Sequence, residues 1–336
     1  MIPRLLWSVV VMSAAVACGG PPNLSDTWTW DGHDWTEESS SQSPSWRDGA
    51  IYVYDAAANE IVLFGGSNSN GDDLSETWTW DGHWTLQNPK TSPPARVDAA
   101  GAYDPIRRNV VMFGGVSNGA ALADTWTWNG KDWTEAPTDH SPPATRVTRP
   151  ESAAFDPISG HVILINRCEF MVPESCVKDT WSWDGRLWSQ EALSSAAALH
   201  QPTPGLIAYT SSGILYTNTA RGRVIMLGGD VPLEWDGTAW VADSVSSELP
   251  GRAGGGVAYD PQMGAPISFG GDICNGPPYS SDDTWEWNAG VWRQLKPQTQ
   301  PPARSTTYVT YDSKNKRIVM FGGYVRQGGC SYGLPF

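Results

Sequence analysis

Short apolar stretches along this chain alternate with breaks rich in Gly, Pro and Asp, the pattern of brief strands joined by tight turns. Five stretches are near copies of one phrase: DTWTWDG from Asp26, ETWTWDG from Glu76, DTWTWNG from Asp124, DTWSWDG from Asp179 and DTWEWNA from Asp283. A degenerate copy, PLEWDG, begins at Pro232. Recurrence on this scale predicts a repeat architecture. Strand side chains alternate, so Trp28 and Trp30, or Trp78 and Trp80, fall on one face of their strand.

Each repeat holds four strand-like segments. The first ends in an aromatic followed by Asp, as at Tyr54-Asp55, Tyr103-Asp104, Phe155-Asp156, Tyr259-Asp260 and Tyr311-Asp312. The second ends ten positions after that aromatic and runs into Gly-Gly, as at Phe64-Gly65-Gly66 and Phe321-Gly322-Gly323. The same count back from Leu227 places Thr217-Asn218 in the degenerate unit, where Asn suits a turn as Asp does. The third segment is the Trp-x-Trp strand. The fourth starts at Trp35, Trp84, Trp133, Trp188, Trp240 or Trp292. Helical periodicity is nearly absent, and only Ser189 to His200 reads as a short helix.

Four short antiparallel strands per unit predict propeller blades. The third-plus-fourth pair at Asp26 to Trp35 precedes any partner, and the first-plus-second pair at Arg304 to Gly323 has no successor. These two half-units complete one another in a ring. The expected fold is therefore all-β: a six-bladed β-propeller of four-stranded antiparallel blades, its last blade stitched from two N-terminal and two C-terminal strands. Closure removes the unpaired edges an open array would present.

The aromatic before Asp, the Gly-Gly ending and the later Trp together resemble the kelch repeat of galactose-oxidase-like propellers. The resemblance covers Ser25 to Tyr324, with departures at Asn166-Arg167, in place of Gly-Gly, and at Leu233, in place of a Trp. It implies a propeller fold; kelch propellers include scaffolds, ligand binders and some enzymes, so it does not fix a function. The copper chemistry of galactose oxidase would require an adjacent Tyr-His pair and a further domain, and neither is present here. No cofactor and no metal site is expected.

The N-terminus reads as a targeting segment. Arg4 precedes the mostly apolar run Leu5 to Val16, and Ala15-Val16-Ala17 fits a small-residue cleavage pattern. The run is too short to span a bilayer. Cys18 follows, and AVAC resembles a bacterial lipoprotein box, with Ala15 where such boxes usually carry Leu. Residues 1–17 are read as a signal peptide, 18–24 as a lipidated tether and 25–336 as the propeller, giving an exported lipoprotein at the periplasmic or outer surface of a bacterial membrane. Four cysteines remain, and two disulfides are expected, Cys168–Cys176 and Cys274–Cys330. The net charge of −14 argues against nucleic acid and anionic membrane as partners; the only membrane contact expected is the lipid anchor.

Length variation falls on one set of connections. The distance from the end of the second strand to the next strand Trp position is 14, 13, 16, 6 and 16 residues in successive units, and blade linkers run from 19 to 29. Variable loops on a rigid frame are where binding concentrates. An arginine stands seven positions before the first-strand aromatic at Arg47, Arg96, Arg252 and Arg304, with Arg149 one position nearer in another unit. Each arginine fits either a scaffold ion pair with a repeat acid such as Asp26 or Asp124, or an anion-binding ring at the channel mouth. Trp46 lies outside the repeat pattern and is a candidate ligand contact. Gly115 to Gly119 matches G-x-S-x-G, but in a propeller loop it lacks the strand-to-helix elbow the chemistry needs. Asn68 to Asp73 lacks the full oxygen spacing of a Ca²⁺ loop. The functional expectation is a non-catalytic module that binds a protein or glycan. The alternative is an enzyme acting on a carbohydrate or small acid at the channel mouth.

Overall fold

The computed structural model describes residues 23–137, 140–144, 152–166, 179–191, 214–227, 232–242, 252–273, 277–288 and 290–326. The chain opens with β1 (Asn23–Trp30) and β2 (Trp35–Glu38). Blade 1 is β3 (Ile51–Asp55), β4 (Glu60–Phe64), β5 (Thr77–Trp80) and β6 (Trp84–Leu86). Blade 2 is β7 (Ala100–Asp104), β8 (Asn109–Phe113), β11 (Thr125–Trp128) and β12 (Trp133–Glu135), with a ribbon of β9 (Val116–Ser117) and β10 (Ala120–Ala121). Blade 3 is β13 (Ala153–Asp156), β14 (His161–Ile165), β15 (Thr180–Trp183) and β16 (Trp188–Gln190). Blade 4 is β17 (Ile214–Asn218), β18 (Arg223–Leu227), β19 (Leu233–Trp235) and β20 (Trp240–Ala242). Blade 5 is β22 (Gly256–Asp260), β23 (Ala265–Phe269), β25 (Thr284–Asn288) and β26 (Val291–Gln294), flanked by β21 (Arg252–Ala253) and β24 (Asp272–Ile273). Finally β27 (Tyr308–Asp312) and β28 (Arg317–Tyr324) join β1 and β2 in the order β2-β1-β28-β27, closing blade 6.

The fold is the expected six-bladed ring, and the two half-units meet as the sequence requires. β1 lies antiparallel to β28, with Trp28 opposite Met320 and Trp30 opposite Ile318. Asn23 and Leu24, assigned above to the tether, extend this pairing to Tyr324 and Gly323. The proposed helix at Ser189 to His200 is corrected at its start: Ser189 and Gln190 belong to β16 and pair with Ser182 and Trp181. The fourth-strand slot of the repeat overrides local helix preference there, and the rest of that segment lies outside the described residues.

The hairpin between the first two strands is built by its Asp. The Asp55 carboxylate accepts the Ala57 and Ala58 N–H groups, Asp104 those of Ile106 and Arg107, and Asp312 those of Lys314 and Asn315. This is the local mimicry of a backbone turn that suits Asp and Asn to such sites. At the Gly-Gly pair, both roles suggested by glycine are present. Gly65 and Gly66 have φ of 75° and 87°, and a Cβ on Gly65 would sit 2.6 Å from the Arg96 carbonyl of the next blade. Asn166 replaces the first glycine in blade 3 and keeps its bond, donating its N–H to the Asp179 carbonyl at 3.1 Å.

The core lies between blades. Ile61, Leu63 and Trp84 of blade 1 pack on Tyr308, Val319 and Phe321 of blade 6, and equivalent buried clusters join blades 1–2, 2–3, 3–4 and 5–6. One hydrogen bond recurs across these seams. The fourth-strand Trp donates its indole N–H to the Thr that opens the third strand of the preceding blade: Trp84 to Thr27 at 2.8 Å, Trp133 to Thr77 at 2.9 Å, Trp188 to Thr125 at 2.8 Å, Trp240 to Thr180 at 3.0 Å and Trp35 to Thr284 at 2.9 Å. In blade 4 the Thr position is Pro232, which has no hydroxyl to offer Trp292. Trp292 is half-buried whereas Trp133 is 1% exposed, and Tyr216 stacks on Tyr259 across that seam at 5.8 Å. The departure of the degenerate unit from the repeat thus falls on its seam with blade 5. Substituting Trp133→Phe should cost about 1–3 kcal/mol in urea unfolding, because it strips a buried acceptor of its donor. Trp292→Phe should cost less than Trp133→Phe in the same measurement, because Trp292 is half-buried and faces no threonine hydroxyl across its seam.

Candidate functional site

The topology sorts the connections onto two faces. Hairpins between strands one and two, and three and four, lie on one face; the Gly-Gly exits, third-strand entries and first-strand entries lie on the other. On this second face, the loop face, Gly66 donates to the Arg96 carbonyl at 2.9 Å and Gly271 to that of Arg304 at 2.8 Å, tying each exit to the next entry.

Arg47, Arg96 and Arg304 sit just inside the loop face, within the blades. Arg96 is 1% exposed and holds Asp124 bidentately, with both bonds 2.7 Å. It also donates to the Gly114 carbonyl at 2.9 Å and, through Nε, to that of Pro94 at 3.1 Å. Arg304 grips Asp26 at 2.6 and 2.8 Å and the Gly322 carbonyl at 3.1 Å. Arg47 reaches Glu76 through a single 2.8 Å bond, and the Gly65 carbonyl at 3.2 Å. The indole N–H two positions after each acid completes the clamp: Trp28 on Asp26, Trp78 on Glu76 and Trp126 on Asp124. Bidentate, charge-assisted geometry of this kind is the strong form of the arginine–carboxylate pair. These guanidiniums therefore tie first strand, second strand and third strand of one blade together. Arg252 opens β21 opposite Ile273. Arg149 and all five cysteines, with both expected disulfides and the Cys18 lipidation site, lie outside the described residues. Trp46 is half-buried in the linker ahead of Arg47.

Burial alone would push the Asp26 carboxyl up, but hydrogen bonding and charge from Arg304, with the Trp28 indole, outweigh it and hold the group below its ordinary range. Asp124 is lowered likewise by Arg96 and Trp126. A carboxyl depressed in the folded state stabilises it above the unfolded pKa, near 4, and loses that contribution as the pH falls toward the folded value. Acid therefore loosens the clamps.

Other loop-face chemistry is local. Asn68 accepts the Asn70 and Asp72 N–H groups, and Asp73 accepts the Asn118 N–H at 2.7 Å, joining the loops of blades 1 and 2. The G-x-S-x-G match lies in this second loop, where Val116 and Ser117 form a two-stranded ribbon with Ala120 and Ala121. Over blades 5 and 6, Asp272, 4% exposed, accepts from Arg326 at 2.8 Å, while Tyr324 stands 3.4 Å away. Burial would depress the Arg326 guanidinium, and the Asp272 charge reverses the effect. Spacing gave no sign of this pair, since neither residue belongs to the repeat phrase. Along the axis runs a channel of about 250 Å³ lined by first-strand residues such as Tyr52, Ala102, Ala154, Tyr216 and Tyr308. None of its described lining residues is charged. Among the described residues no cluster of three or more His, Cys, Asp or Glu is arranged to hold a metal ion.

On the hairpin face, blade 1 departs from blades 2 and 6. Asp104 is paired with Arg107 and Asp312 with Asn315, but in blade 1 the corresponding Asp55 Oδ2 is buried without a hydrogen bond. Glu60 stands directly across from Asp55, where blade 6 carries Arg317 opposite Asp312. Burial first, then the charges of Asp55 and Asp81 against a bond from Thr79, push the Glu60 carboxyl up to about 7.

No family model matches the chain, and a search of curated proteins finds no match to it.

Asp26→Asn leaves a buried guanidinium without its carboxylate and should cost about 3–5 kcal/mol in chemical unfolding. Glu76→Gln, at a 43% exposed acid that holds the buried Arg47 guanidinium by one bond, should cost less than Asp26→Asn, because one charge-assisted bond is weakened and not two. Glu60 holds its proton to higher pH when folded than unfolded, so the unfolded chain binds fewer protons between about 4.5 and 7 and stability falls as pH rises through that window. Melting temperature measured from pH 5 to 8 should decline in the parent and decline less in Glu60→Gln.

Proposed function

We propose that the chain is a kelch-type propeller acting as a non-catalytic binding module, displayed at a bacterial envelope membrane by a lipid on Cys18. The observation that carries this reading is the division of labour between the two faces. Arg47, Arg96 and Arg304, their acids and the repeat tryptophans are consumed in the frame, hairpins differ by at most one residue, and the large variation in connection length lies on the loop face. A rigid frame presenting variable loops is a binding architecture.

The test is a glycan-array and small-acid screen of the full chain in detergent micelles. Saturable binding without product, abolished by replacing residues 68–73 with Gly and Ser but retained after His83→Ala on the hairpin face, is the expected outcome. Product formation from any bound compound would replace the module by an enzyme. Cys18→Ser should move the protein from the membrane to the soluble fraction.

A further inference from the structure

The start of β1 fixes which face of the propeller an N-terminal anchor would hold. β1 is the third strand of its blade, and third strands run from the loop face toward the hairpin face. Its first residue, Asn23, pairs with Tyr324, which lies beyond the Gly322-Gly323 exit. Tyr324 in turn bridges Ser305, just as Ser67 bridges Asp48 and Val116 bridges Val97 in blades 1 and 2. All of these pairs stand at the loop face. The chain therefore enters the fold on the face that carries the variable loops. Cys18 precedes Asn23 by five residues, Gly19-Gly20-Pro21-Pro22 lying between. Fully extended, that span reaches at most about 18 Å. A folded domain of 100 residues, with a radius of gyration of about 13 Å, is roughly 30 Å across.

Resting on the lipidation of Cys18 proposed above, we infer that the loop face is turned toward the bilayer and takes its ligand from the headgroup layer, not from a folded soluble partner. The five-residue span holds blade 6 against the surface, and blade 1 is its neighbour in the ring, joined through the buried cluster of Tyr308, Phe321 and Trp84. The space beneath these two blades is too thin for a folded domain. The hairpin face looks away from the membrane. On the described loop face Arg47, Arg96 and Arg304 are buried in their clamps while Asp72 and Asp282 are exposed, so an uncharged or zwitterionic headgroup is the fitting occupant and anionic lipid is repelled.

The experiment uses the full lipidated chain in phosphatidylcholine vesicles and the same protein in detergent. A short peptide epitope is inserted after Asn70, on the loop face of blade 1, or after Lys131, on the hairpin face of blade 2, and an intact antibody is bound to each. The expected result is antibody binding to the Asn70 epitope at least tenfold weaker on vesicles than in detergent, with the Lys131 epitope bound equally in both. Equal access to both epitopes on vesicles, or shielding of the Lys131 epitope, overturns the orientation while leaving the anchor intact. Failure of the parent chain to float with vesicles, measured beside Cys18→Ser, overturns the anchor and the orientation with it. An insertion that abolishes antibody binding in detergent is replaced by one after Gly119 on the loop face or after His83 on the hairpin face.

Discussion

Every other contact in this ring presupposes the antiparallel pairing of β1 with β28. A propeller blade cannot bury its faces alone; it needs a neighbour on each side. Without the pairing, blade 6 would be two half-sheets with bare edges, and blades 1 and 5 would each expose one face. The Arg304–Asp26 clamp sits at the loop-face end of this junction, and Trp35 to Thr284 and Trp84 to Thr27 lock the stitched blade to both neighbours. Main-chain pairing sets the register, the buried ion pair fixes the alignment, and the indole bonds carry closure around the circle. The clamp is the same one used inside blades 1 and 2, here joining residues from opposite ends of the chain.

Much of this was readable from residue spacing. The orphan half-units announced the closure, and the regular interval from arginine to aromatic admitted the scaffold ion pair that Arg47, Arg96 and Arg304 make. The Asp of Tyr-Asp announced a turn, and the glycine pair announced a close approach. Other features needed coordinates because they depend on which blade faces which. Pro232 is visibly not Thr, but its cost falls on Trp292, a residue of the next repeat, through a bond that spacing does not reveal. Glu60 is visibly unlike Arg317. Its proton affinity follows from burial beside Asp55, and no periodic pattern encodes that. Asp272 and Arg326 belong to no repeat, so their meeting had no sequence signal.

The same separation explains why shape was easier to read than role. Residue types that usually advertise chemistry, such as arginine, aspartate and tryptophan, are here distributed by the needs of the frame. Once Arg47, Arg96 and Arg304 are accounted for by their carboxylates and carbonyls, what is left for recognition is the loop face, where the chain is least regular. Its described parts are held by bonds within a loop, such as those Asn68 accepts, and by bonds between neighbouring loops, such as that from Asn118 to Asp73. Loops built this way can differ in length without disturbing the ring that carries them.

The half-blade offset between the sequence phrase and the folded sheet has an evolutionary consequence. A tandem duplication or loss of one phrase anywhere between β3 and β26 would insert or remove a complete sector while both terminal halves stayed matched. The unit of genetic copying and the unit of folding are out of phase by two strands. Ancestors and descendants of such a chain can therefore change their number of sectors without ever passing through a form that lacks its fastening.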